Sequence, residues 1–286
     1  MSVPPSQFRT SAGQTRYFAA YDATLALWPV AVESFDLPTR FGATHLHTCG
    51  PHDAPPLLLL PGQAVSSTMW YPNIGALSQA YRVYAPDILG DLGKSVSTRR
   101  FTKPSEFADW LSDLFDGLQL ERAHVAGLSY GGFAALRLAI SAPERVNKLV
   151  LMSPASLLRL RPTFFLRMAA IFLPAFVLSP AAKQKLLLGV YSPGAVPAVK
   201  QMMTTTDFRY SMYLPPVCTD QELQQVRAST LLLLGDHEVI YNPHAALKRA
   251  TSLIPHIKAV IIPGAGHALT LDRPDMVNTL ILEFLA

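Results

Sequence analysis

Three side chains in this sequence have the types and settings that nucleophilic catalysis demands: Ser129, His267 and one of two carboxylates, Asp236 or Glu238. Ser129 stands in Gly127-Leu128-Ser129-Tyr130-Gly131, a Gly-x-Ser-x-Gly pattern. On a sharp strand-to-helix turn such a serine takes a strained backbone conformation, and the flanking glycines let neighbouring backbone pass without a Cβ clash. Its hydroxyl is a weak nucleophile until a base removes the proton, and the base needs a carboxylate to fix its tautomer and stabilise the imidazolium. His267, in Pro263-Gly264-Ala265-Gly266-His267-Ala268, follows the last apolar strand and is free to lean over the sheet edge. His124 is a poor rival, because its side chain is committed to the elbow strand.

The acid should fall between serine and histidine in chain order. Gly235-Asp236-His237-Glu238 offers two candidates there. Asp236 is the commoner residue type for the role. Glu238 has the better position, three residues past the glycine on a loop that closes on Asn242-Pro243, and is favoured. Acyl transfer also needs two backbone donors for the oxyanion. One is expected from Tyr130 N–H, the other from the loop after Leu57 to Leu60, at Gln63 with Ala64 as the alternate.

These residues must be carried by strands and helices in alternation. Apolar runs at Leu57 to Leu60, Tyr81 to Asp87, Ala123 to Leu128, Val146 to Met152, Thr230 to Leu234 and Lys258 to Ile262 predict buried strands. Helices are expected over Ile74 to Ala80, Ser105 to Leu118, Phe133 to Ser141, Pro243 to Ser252 and Pro274 to Leu285, and a hairpin at Phe35 to Thr39 with Ala43 to Thr48. The alternation stops over residues 156–228, rich in Leu, Phe, Met and Pro. Short helices are expected there at Leu157 to Leu173, Ala181 to Val190, Ala195 to Met203 and Thr219 to Val226. The fold class is therefore α/β, a doubly wound, mostly parallel sheet with a helical lid inserted after the sixth strand. The divisions are a helical arm over 1–35, core over 36–155, lid over 156–228 and core over 229–286. Leu157, Leu158, Phe164, Phe165, Phe172 and Phe176 are expected to shape an apolar acyl pocket.

Composition narrows the partners. With 286 residues, 50% hydrophobic and 15% charged, the chain can bury a large core. A net charge of +4, with no basic block longer than Arg99-Arg100, gives no reason to expect nucleic acid. Phe164 to Leu178 is the longest apolar stretch, and Arg167 and Pro174 interrupt it, so no membrane span is expected. The first seven residues lack a charged and apolar leader pattern, and a cytoplasmic location is expected. Cys49 and Cys218 match no metal spacing and are expected as free thiols. His45, His47, Cys49 and His52 have no acid to complete a metal site, and the histidines are expected on the strand surface. No metal and no cofactor is expected.

Taken together, Leu57 to Trp70, Tyr81 to Ser95, the elbow with Ala142 to Val146, Leu231 to Pro243 and Gly264 to His267 resemble the α/β-hydrolase superfamily over nearly the whole chain. Trp70-Tyr71-Pro72-Asn73-Ile74 is most similar to small bacterial carboxylesterase-like serine hydrolases. The resemblance implies cleavage of a small-molecule ester with a small or medium apolar acyl group. It also leaves thioesterase, lactonase, carbon–carbon bond hydrolase and ligand-binding roles open. It supports Glu238 as the acid. Serine at 129 argues against dehalogenase or epoxide-hydrolase chemistry, where relatives carry Asp. Two departures stand out: Pro61-Gly62 replaces the usual His-Gly, and the loop from Asp87 to Ser95 carries one extra residue.

Overall fold

The computed structural model describes residues 7–164, 166, 177, 179, 182, 197–198, 201, 204, 207–211 and 213–286. Among these residues nine strands form one sheet in the order β1-β2-β4-β3-β6-β7-β8-β9, with the two-residue β5 (Val96–Ser97) beside β2. β1 (Glu33–Thr39) and β2 (Gly42–Cys49) form an antiparallel hairpin, and β2 runs antiparallel to β4 (Arg82–Pro86). From β4 onward, through β3 (Pro56–Leu60), β6 (Ala123–Leu128), β7 (Val146–Met152), β8 (Ser229–Gly235) and β9 (Ile257–Ile262), every pairing is parallel.

The strands are apolar throughout because both faces of the sheet are covered. Leu58 and Leu60 join one core cluster, whereas Leu57 and Leu59 join another on the opposite face. The same alternation sorts Leu149 and Leu151 from Val150 and Met152, and Leu232 and Leu234 from Leu231 and Leu233. Each fully buried leucine contributes roughly 1.5–3 kcal/mol. One face is closed by α3 (Ser105–Gly117), α4 (Tyr130–Ser141) and α6 (Pro243–Leu253). The other is closed by α2 (Ile74–Leu77), α7 (Leu269–Asp272) and α8 (Pro274–Leu285), with Trp70 from a 3-10 turn at Ser67–Trp70. β3 lies between β4 and β6, where the strand order reverses, the place at which doubly wound sheets open a crevice beyond their carboxyl ends.

The amino-terminal helix α1 (Ser11–Leu25) is capped by the Thr10 hydroxyl, which accepts the Gly13 N–H at 3.0 Å. Tyr17 and Tyr21, one turn apart, are fully buried with Phe8, Leu92 and Phe208. The Tyr21 hydroxyl donates to Asp87 at 2.9 Å and lies 2.6 Å from His47 Nε2.

Several expectations change. The arm boundary at residue 35 falls inside β1, which begins at Glu33. β5 adds a strand, so the segment expected as a lid follows the seventh strand. The helix expected to Ala80 ends at Leu77. His47 is not a surface side chain: it is 1% exposed, and burial pushes its imidazole down to about 4. The strand pattern did not reveal that Tyr21 of α1 packs against it. Of the helix expected from Leu157 to Leu173, residues 157–161 are not helical and 162–164 are, whereas 165 and 167–173 lie outside the described residues, as do most of the helices expected at Ala181 to Val190 and Ala195 to Met203. The last one is α5 (Asp220–Gln224), with Thr219 and Glu222 forming a capping box. No helix among the described residues is long and apolar enough to cross a membrane.

Candidate active site

Ser129 joins β6 to α4 with φ 52° and ψ −108°, a region that L-residues avoid and that costs on the order of 1–3 kcal/mol. Three backbone hydrogen bonds hold it there. Ser129 N–H donates to Met152 at 2.8 Å, and its carbonyl accepts from Phe133 at 3.0 Å and Ala155 at 3.1 Å. The glycines are sterically required: a Cβ on Gly127 would strike the Gly131 carbonyl, and one on Gly131 would strike the carbonyls of Leu60 and Pro61. The elbow is thus pressed against the end of β3.

His267 lies on the turn after β9, with Nε2 2.9 Å from Ser129 Oγ. Its Nδ1 lies 2.9 and 3.0 Å from the two oxygens of Glu238. An ionised carboxylate only accepts, so Nδ1 carries the proton and Nε2 is left to accept from the serine hydroxyl. Glu238 Oε1 also accepts the N–H groups of Val239 at 2.8 Å and Ile240 at 3.0 Å. Burial pushes the Glu238 carboxyl up, but the His267 charge and ring N–H, the Ile240 N–H and the nearby Ser153 hydroxyl together hold it below its ordinary range. The Glu238 side chain is fully buried and the His267 side chain 9% exposed, so water competes little for this chain of bonds.

Asp236, the other carboxylate, is placed elsewhere. It accepts the N–H groups of Gly264 at 3.0 Å and Ala265 at 3.1 Å, bracing the turn that carries His267. The Gly264 N–H holds its carboxyl below the ordinary range despite a small opposing effect of burial, with help from His237 and the Ala265 N–H. Asp272 takes the Gly266 N–H at 2.6 Å from the other side.

The loop after β3 runs beside the serine because β3 and β6 pair in register, Leu60 opposite Gly127. A Cβ on Gly62 would sit 3.8 Å from Ser129 Cβ. Of the two donors considered on this loop, Ala64 N–H is engaged by the Asp91 carboxylate, at 3.1 and 3.0 Å from its two oxygens. Ala64 is therefore turned away from the serine, leaving Gln63 as the candidate. On the other side, Tyr130 is the first residue of α4, where the backbone N–H has no intrahelical partner.

Ser129 and His267 open onto a small cavity lined by Val65, Met69, Leu128, Ala268 and Leu271, with Gly62 and Gln63. These apolar residues are not the ones expected for an acyl pocket. Leu157, Leu158 and Phe164 pack on the core cluster beneath α3 and α4, whereas Phe165, Phe172 and Phe176 lie outside the described residues. No spacing marks this lining in advance, because Val65 and His267 lie in turns outside the helices.

Known proteins share this fold. A model of the alpha/beta hydrolase family matches residues 57–280. The chain is 39% identical over 293 residues to carboxylesterase YbfK of Bacillus subtilis, covering 98% of this chain and 96% of the relative. It is 40% identical over 294 residues to the uncharacterized carboxylesterase nap of the same organism, covering 94% and 92%. The crystal structure of naproxen esterase from Bacillus subtilis superposes with a TM-score of 0.90 at 39% identity, covering 99% of this chain and all of the other.

Proposed function

The chain belongs to the alpha/beta hydrolase family, and from that premise we propose that it is a serine hydrolase of carboxylic esters with Ser129 as nucleophile, His267 as general base and acid, and Glu238 as the orienting carboxylate. The observation that carries the assignment is the continuous chain of 2.9 Å contacts from Ser129 Oγ through His267 to Glu238. Ser129 Oγ attacks the ester carbonyl as its proton passes to His267 Nε2. The oxyanion is held by the N–H groups of Gln63 and Tyr130, and the positive end of α4 adds to the field. The carbon–oxygen bond then breaks, and His267 returns the proton to the departing alcohol oxygen. Water, deprotonated by His267, attacks the acyl-enzyme, and the acid leaves as Ser129 recovers its proton.

The apolar lining of the cavity supports a small or medium apolar acyl group rather than a charged one. Residues 156–228 follow β7 at the carboxyl edge of the sheet, and we assign them the role of a lid that completes the pocket. A fluorophosphonate probe tests the chemistry without a known substrate. It is expected to label Ser129, and Ser129→Ala is expected to lose labelling together with p-nitrophenyl ester turnover, by ~10⁴-fold or more. A Ser129→Ala protein that still turns over esters excludes this mechanism.

A further inference from the structure

Asp91 is 1% exposed, and among the described residues no Lys or Arg pairs with it. Its carboxylate accepts Leu92 N–H at 2.7 Å and grips Ala64 N–H with both oxygens. Burial pushes the carboxyl up to about 7, against the pull of the Leu92 and Ala64 N–H groups, and the neighbouring Asp87 charge adds to the rise. A buried carboxylate without a cation is costly, and a neutral amide would satisfy an N–H at less expense. Stability therefore gives no reason for an acid here.

What Asp91 grips does give one. Ala64 sits at φ 59°, a left-handed conformation that a residue with a Cβ holds only when its surroundings impose it. Ala64 immediately follows Gln63, and the peptide between them carries the gripped N–H. The aromatic cluster of Phe8, Tyr17, Tyr21 and Phe208 packs over Leu92 and Ala64, sealing the grip from water. The loop that presents Asp91 turns through left-handed Gly90 at φ 81° and Gly93 at φ 151°, and it is the loop that carries the extra residue.

We propose, resting on the oxyanion role given to Gln63, that Asp91 is a positioning residue: by clamping Ala64 N–H it fixes the Gln63–Ala64 peptide and keeps Gln63 N–H aimed at the carbonyl oxygen above Ser129. Asp91 does not touch substrate. Its effect is confined to the step in which negative charge develops on that oxygen, so turnover depends on it and ground-state binding does not.

The experiment compares wild type, Asp91→Asn, Asp91→Ala and Ser129→Ala in p-nitrophenyl ester kinetics, fluorophosphonate labelling rate and affinity for an aryl trifluoromethyl ketone, which forms a tetrahedral adduct on serine. Asp91→Ala is expected to lose ~100-fold in kcat and labelling rate with KM within about threefold. Asp91→Asn, whose amide oxygen still accepts one N–H, is expected to recover about a tenth of wild-type kcat. Ketone affinity is expected to fall in step with kcat/KM. A folded Asp91→Ala or Asp91→Asn protein with wild-type labelling and ketone affinity overturns the role. So does an Asp91→Asn protein faster than wild type, which would mean that the charge merely opposes the oxyanion. If Asp91→Ala does not fold, Asp91→Asn alone decides between these results. Retained turnover in Ser129→Ala would instead remove the nucleophile reading on which the role depends.

Discussion

Asp236 and Glu238 stand two residues apart and do different work because the turn after β8 sends them to opposite sides of the His267 loop. Glu238 meets the imidazole at 2.9 Å, whereas Asp236 braces the backbone of that loop. Glu238→Gln is expected to lower kcat by up to ~10⁴-fold, because an amide can donate to Nδ1 and favour the wrong tautomer. Asp236→Asn leaves the bonded chain intact and is expected to cost less than about tenfold. Steady-state kinetics on the two variants checks both, and the reverse ranking would transfer the orienting role to Asp236. The serine, the histidine and a preference for Glu238 could be read from the sequence because each stands close behind a glycine at the end of a strand or in the turn beyond it: Ser129 two after Gly127, His267 directly after Gly266 and Glu238 three after Gly235. Asp91 could not. The role proposed for it rests on the Ala64 N–H, which comes from a loop 27 positions away.

Helix α1 acts at the next scale, covering the hairpin and the loop that holds Asp87 and Asp91. Its hold on the core is Tyr21, whose hydroxyl bonds to Asp87 while Ser67 also donates to that carboxylate through N–H and hydroxyl, at 2.8 and 2.6 Å. Tyr21→Phe leaves a buried acceptor one donor short and is expected to cost ~1–3 kcal/mol, a fall in Tm of roughly 2–10 °C by calorimetry. An unchanged Tm would mean that α1 is held by its apolar contacts alone. A helical arm was readable within the first 35 residues, where α1 runs from Ser11 to Leu25. β5 was not, because two residues carry no period and depend wholly on pairing with Gly42 and Ala43. Nor was the burial of His47, since its partners Tyr21 and Ser34 come from separate elements.

At the scale of the whole molecule, the buried acids impose opposite pH dependences. Glu238 is held below its ordinary range, so the stability it confers is present above that range and is lost as pH falls through the lowered value. Asp91 is raised from 3.8 to about 7, so between those values the folded state binds more protons than the unfolded one, and stability falls as pH rises. The Tm of Asp91→Asn relative to wild type is expected to climb by several degrees from pH 4 to pH 7, and a flat difference would place the Asp91 carboxyl in the ordinary range. The mostly parallel sheet followed from strands alternating with helices, but the cavity lining did not, because it is assembled from turns after β3, β6 and β9. The bridge between Phe8 and Phe208 has a consequence for the route by which the chain folds. Arg9 N–H donates to the Asp207 carbonyl and Arg209 N–H to that of Gln7, while the Thr10 hydroxyl reaches Asp207 across 197 positions. Such a closure is entropically costly until the intervening strands have collapsed. Helix α1 is therefore expected among the last elements to dock, and in refolding, esterase turnover is expected to return after the sheet's circular dichroism.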